Sequence, residues 1–185
     1  MLKARAIAGV LAVALVVMTP LNTRPVGAAS AAAIDRDATA TLAKLYAAIP
    51  EARTLERHAR AVLVFPTIVK AGFMFGAPYG EGVLRQRGKT TAHYNSIAAS
   101  DGSEAGLQAF GYALFFMRDS ALQTLDQTGG FEVGVGPSVV VLDAGTAKSL
   151  STTTMQSDIY AFTFDRTGRM AGVGIQGSKI SRIAR

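Results

Sequence analysis

The spacing of apolar positions changes twice along the chain. Ala6 to Met18 is an uncharged apolar run with no alternation. Ile34, Ala38, Leu42, Leu45 and Ile49 then recur at steps of three and four, the period of one helix face, while Asp35, Arg36, Asp37 and Lys44 fall on the other faces. Pro50 ends this helix or opens a second one through Leu55 and Ala59, which Arg53, Arg57, His58 and Arg60 make basic. A basic amphipathic helix suits an anionic lipid surface, and a helix covering a sheet carries the same pattern.

From Ala61 the pattern becomes that of strands. Ala61 to Phe65 is a short apolar run closed by Pro66, and Val69 to Phe75 follows with glycines set inside it. Arg85-Gln86-Arg87-Gly88-Lys89 reads as a polar hairpin turn between strands at Tyr79–Leu84 and Thr90–Ala98, and Asp101-Gly102-Ser103 as another turn. Leu107 to Met117, Phe131 to Leu142, Ile159 to Phe164 and Met170 to Ile183 read as further strands, with Asp165-Arg166-Thr167-Gly168 turning between the last two. Ser120 to Gln127 is the one later helix, capped by Asp119 or Ser120. Gly72, Gly76, Gly80 and Gly82 remove side chains from one strand region, which permits bending or close approach of another backbone. The predicted architecture is α+β: a strongly curved, barrel-like antiparallel sheet with an N-terminal helical segment and one short mid-chain helix.

Charge and composition refine this picture. Lys3 and Arg5 precede the first apolar run, which spans roughly 20 Å as a helix against the roughly 30 Å of a bilayer core. With Val26-Gly27-Ala28 supplying small residues, 1–28 reads as a signal peptide and 29–185 as a single exported domain, periplasmic or secreted. Cleavage there leaves 16 basic and 13 acidic residues, a net charge of +3. The basic bias is uneven, since Arg166, Arg169, Lys179, Arg182 and Arg185 form a terminal stretch without acids. Lys70, Arg85, Arg87 and Lys89 sit in or beside turns. These nine residues are the candidate lipid head-group ligands, because guanidinium and ammonium groups bind phosphate.

The residues for catalysis are sparse. There is no Cys, hence no thiolate zinc site, disulfide or cysteine nucleophile. His58 and His93 belong to no metal-binding repeat, and Gly88-Lys89-Thr90 lacks the first glycine of a phosphate loop because position 83 is Val83. Gly172-Val173-Gly174-Ile175-Gln176-Gly177 matches the dinucleotide fingerprint by letter, but no helix and acidic residue can follow it before Arg185. The expectation is a non-enzymatic protein with no cofactor, and nucleic acid is disfavoured as a partner by the export signal and by aromatic residues alternating as core.

Phe65-Pro66 with Lys70-Ala71-Gly72, then Gly76, Tyr79-Gly80-Glu81-Gly82-Val83-Leu84, Gly106-Leu107-Gln108, and Gly172-Val173 with Gln176-Gly177-Ser178-Lys179-Ile180 resemble the SYLF domain. The resemblance covers about Asp35 to Ile183; Phe110 and Ala77 stand where that family's pattern places glycine. It implies phosphoinositide or other acidic-lipid binding, or, as in some eukaryotic members, binding of actin filaments. A protein-interaction module and a small-ligand-binding barrel are the alternatives to a lipid-binding domain. The resembling residues are mostly glycine and apolar, so they carry no head-group site with them.

Overall fold

The computed structural model describes residues 30–70, 77–97, 109–151, 154–165, 167–171 and 174–185. The expected signal segment, the turn at Asp101 to Ser103, and the motif residues Gly72, Gly76 and Gly106 to Gln108 lie outside them. Helix α1 (Ala31–Ala48) begins where the Ser30 hydroxyl accepts the Ala33 N–H, and buries Ile34, Ala38, Leu42 and Leu45. Ile49 breaks the helix, and Pro50, which needs no amide partner at a first helical position, starts α2 (Pro50–His58).

Among the described residues eight strands form one sheet, in the order β5-β8-β3-β2-β1-β4-β7-β6. They are β1 (Ala61–Lys70), β2 (Pro78–Gln86), β3 (Lys89–Ile97), β4 (Ala109–Phe116), β5 (Gly130–Glu132), β6 (Val139–Val141), β7 (Ile159–Phe164) and β8 (Lys179–Ile183). Helix α3 (Asp119–Thr128) joins β4 to β5, and α4 (Ala144–Lys148) follows β6. All pairings are antiparallel except β6 with β7.

Chain connectivity requires the sheet to curl. Its two edge strands, β5 and β6, are joined by residues 133–138 alone. In a flat sheet eight strands at 4.8 Å spacing would put the edges about 34 Å apart, whereas seven extended residue steps reach about 25 Å at most. The result is a half-barrel. The inner face gathers residues from strands near both edges into one cluster: Leu63, Phe65, Leu84, Tyr94, Tyr112, Leu114, Phe116, Ile159 and Ile180, closed over by Ala121 and Leu125 of α3 and by Val133 and Ile175. Within it the Phe65 and Tyr112 rings lie 4.7 Å apart, and the buried Tyr112 hydroxyl donates to Ser96 Oγ at 2.6 Å. The outer face carries a second core in which α1, α2 and α4 cover Val62, Val64, Val83, Phe115, Tyr160 and Phe162.

Several expectations change in detail. Pro66 does not close the first strand; β1 continues through it, with one extra residue relative to both neighbours between Val64 and Val69. Such a bulge lets Pro stand in a central strand, because the ladder is already interrupted there. Phe131 to Leu142 is two three-residue strands separated by a turn, since Gly134 and Gly136 take positive φ values of 100° and 112°. Met170 to Ile183 contributes a strand only from Lys179, after Gly177 turns at φ 73°. Two helices, α3 and α4, stand in the later half where one was expected, and α3 starts at Asp119 with Arg118 before it and no side-chain cap.

The bulge is fitted by absent side chains. A Cβ on Gly80 would overlap Thr67 O, one on Gly82 would overlap Val64 O and lie 2.7 Å from Phe65 Cδ1, and one on Gly111 would lie 2.7 Å from both Phe65 O and Pro66 O. Gly80 and Gly82 on β2 and Gly111 on β4 are therefore scaffold, holding neighbouring backbone close on the two sides of β1. Replacing Gly82 with Val should lower stability by about 3 kcal/mol or more, read as a lower urea midpoint, because the obstruction is backbone that cannot rotate away. A midpoint equal to that of the parent protein would contradict this packing.

Three carboxylates fasten the second half. Asp143 accepts Thr146 N–H at 2.7 Å, Asp158 accepts Ser138 N–H at 3.0 Å and its hydroxyl at 2.9 Å, and Asp165 accepts Thr167 N–H at 2.7 Å. These bonds favour the charged form, so all three carboxyls titrate below the ordinary range; for Asp165 the Thr167 side chain is the largest contributor. A lowered native pKa gives stability that is complete above the unfolded-chain value near 4 and lost as pH falls through the native value. Hydrogen exchange followed from pH 5 to pH 2 should show residues 138–169 opening before the β2–β3 hairpin.

Candidate binding face

The structure disperses the eight candidate basic residues that it describes. Arg85 is half-buried and donates to the Asp35 carbonyl at 3.0 Å and to Thr39 Oγ1 at 2.5 Å, pinning α1 to β2. Arg87 and Gly88 form the hairpin tip with φ of 50° and 76°, and Arg87 and Lys89 are exposed. Lys179 is exposed at the start of β8, opposite Ile97. Because β3 runs from Lys89 to Ile97, the hairpin group and Lys179 lie at opposite ends of the sheet, about 26 Å apart along the strand. Arg182 is exposed on the other face, opposite Tyr94. Arg185 is ion-paired with Glu81. Arg169 is exposed beyond the β7 turn, and Lys70 ends β1 opposite Pro78. Arg166 lies outside the described residues.

At the end of the sheet that holds Lys70 and Lys179, strand register builds a different feature. Val69 pairs with Tyr79, Tyr79 with Ile97, and Ile97 with Lys179, so one cross-strand row on the outer face crosses four strands. Val69 is 38% exposed, Tyr79 38% and Ile97 43%. These are large apolar side chains in solvent on a sheet that otherwise buries Val62, Val64 and Val83 under helices. Tyr79 is held in place, since its hydroxyl donates to Glu81 Oε1 at 2.8 Å. Burial first, then the Glu81 hydrogen bond and charge, raise its hydroxyl pKa, so it stays protonated at neutral pH.

Beside the row, a cleft of about 280 Å³ runs under α1, lined by Ile34, Asp37, Pro66, Thr67, Val69 and Tyr79. A more polar cleft of about 320 Å³ continues from Asp37, Pro66 and Thr67 to Lys44, Asp165 and Gly168. Pro66 and Thr67 of the β1 bulge line both clefts.

Among the described residues the two histidines have these neighbours. His58 Nδ1 lies 2.8 Å from the Thr54 carbonyl within α2, which fixes the proton on that nitrogen. His93 is mostly buried, its Nε2 3.8 Å from Asp35 Oδ1, an ion-pair distance but too long for a hydrogen bond. Among the described residues no group of three His, Asp or Glu side chains is placed to hold a metal ion. Gly177 is followed by strand β8, not by the helix that a dinucleotide fingerprint requires. No family model matches the chain, and no curated protein matches it.

The sequence pointed to the basic residues and missed the row. Val69, Tyr79 and Ile97 stand in strands as apolar residues would in any sheet, and only the reach of α1 decides which outer-face positions it covers. Separating structural from surface arginine is direct: Arg85→Ala should cost about 2 kcal/mol through lost charged hydrogen bonds, whereas Arg87→Ala should leave thermal unfolding unchanged. Equal melting temperatures for the two variants would contradict the role given to Arg85.

Proposed function

We propose that the protein is an exported, non-catalytic binding domain of the SYLF type that docks on anionic lipid at an envelope surface. The observation that carries this reading is the exposed row Val69, Tyr79, Ile97, ending on Lys179. Apolar side chains entering the acyl boundary, with an ammonium group at the depth of the phosphates, match the polarity profile of a lipid interface. The inner face is packed by aromatic and aliphatic side chains, which favours a surface contact over a ligand carried inside the half-barrel.

Co-sedimentation with vesicles of phosphatidylcholine containing phosphatidylglycerol tests the reading. Lys179→Gln should weaken binding roughly fivefold at low salt, about what one basic residue near such a surface supplies, and less at high salt, where screening already suppresses it. Ile97→Asp should weaken binding more, because it places a charge in the apolar row. A protein that ignores these vesicles at low salt while retaining a protein partner would replace lipid docking with the interaction-module alternative.

A further inference from the structure

Along β2, Tyr79, Glu81 and Val83 point to the same face, and the register sets Asn95 of β3 beside Glu81. The Glu81 side chain is only 9% exposed. Its Oε1 accepts the Tyr79 hydroxyl and also takes the guanidinium of Arg185, from 104 positions further along the chain. Oε2 is buried with no hydrogen-bond partner among the described residues. Glu81 also borders the cleft that Val69 and Tyr79 line, so its charge sits at the edge of the exposed row. A carboxylate this buried is costly without a cation, and among the described residues the cation in ion-pair contact with it is Arg185.

We infer that Arg185 is a positioning residue of the docking face: it cancels the charge of Glu81 beneath Tyr79, so that the row can approach an anionic surface. The inference rests on the lipid-docking reading. It assigns Arg185 a role different from direct contact with a head group, because its guanidinium is spent on Glu81, with the side chain 22% exposed. With Arg185 gone, Glu81 would present one negative charge beside the apolar side chains that must meet the lipid. The repulsion would offset roughly what one lysine contributes at such a surface.

Four variants of the full chain separate the possibilities in the same vesicle assay. Arg185→Ala should bind anionic vesicles roughly fivefold more weakly. Arg185→Lys should stay close to the parent protein. Glu81→Gln should bind at least as well as the parent, because it frees a guanidinium. The double variant Glu81→Gln, Arg185→Ala should return to the parent value, since the charge that Arg185 cancels is gone. Equal losses in the single Arg185→Ala and the double variant would overturn the inference and make Arg185 a direct lipid contact.

A second readout needs no vesicles. Arg185 lowers the Tyr79 hydroxyl pKa and Glu81 raises it, so the Tyr79 titration, isolated by ultraviolet difference against Tyr79→Phe, should move up in Arg185→Ala and down again in the double variant. An unmoved titration would overturn the coupling. Absence of vesicle binding by the parent protein, with the titration shifting as expected, would sink lipid docking, and with it the role of Arg185 there, while leaving the Glu81 pair in place.

Discussion

The extra residue that β1 carries at Pro66 and Thr67 is the constraint around which the rest of the molecule is arranged. Strand β1 pairs on both sides, and both partners lose register at the same point. A bulge there strengthens the local twist and bends the strand. It is tolerated because the facing positions, Gly80 and Gly82 on β2 and Gly111 on β4, have no side chains to collide with the displaced backbone. The bend helps an eight-stranded sheet curl far enough for residues 133–138 to join its two edges.

Curling divides the apolar residues into two unequal tasks. The inner face must be filled from within the half-barrel, and it is filled by large rings from central strands with α3 laid across the opening. The outer face is too wide for the helices that cover it. Helix α1 is fixed over β2 by Arg85, through the Asp35 carbonyl and the Thr39 hydroxyl, and Thr90 donates to the Asp35 carboxylate at 2.8 Å from β3. What α1 leaves uncovered is the end of the sheet beyond the bulge, where Val69, Tyr79 and Ile97 stand in solvent. The proposed docking face is thus a consequence of where the covering helix is pinned.

The same placement sorts the charges. Arg85 and Arg185 look equivalent to Arg87 and Lys179 in a list of basic residues, yet the first pair hold internal acceptors and the second pair face water. A net charge of the chain says little about a surface when part of it is consumed by contacts between residues 46 to 104 positions apart. The acid-free stretch toward Arg185 likewise ceases to be a cluster once folded, because alternate residues of β8 face opposite sides of the sheet.

Local periodicity by itself determined the elements whose information is local. The three-and-four spacing from Ile34 to Ile49 specified α1, Pro50 marked a boundary that either ended α1 or opened α2, and the polar segment Arg85 to Lys89 specified a hairpin, since helix faces, proline breaks and tight turns are decided within a few neighbours. The glycine-rich strands already implied a curved sheet. Tertiary structure alone decided that Pro66 lies inside a strand, that Gly80 and Gly82 meet backbone, and that Val69, Tyr79 and Ile97 line up in one row beside a neutralised Glu81. Each of these depends on strand register and on which strands become neighbours, and register is set by long-range packing that no window of the sequence contains.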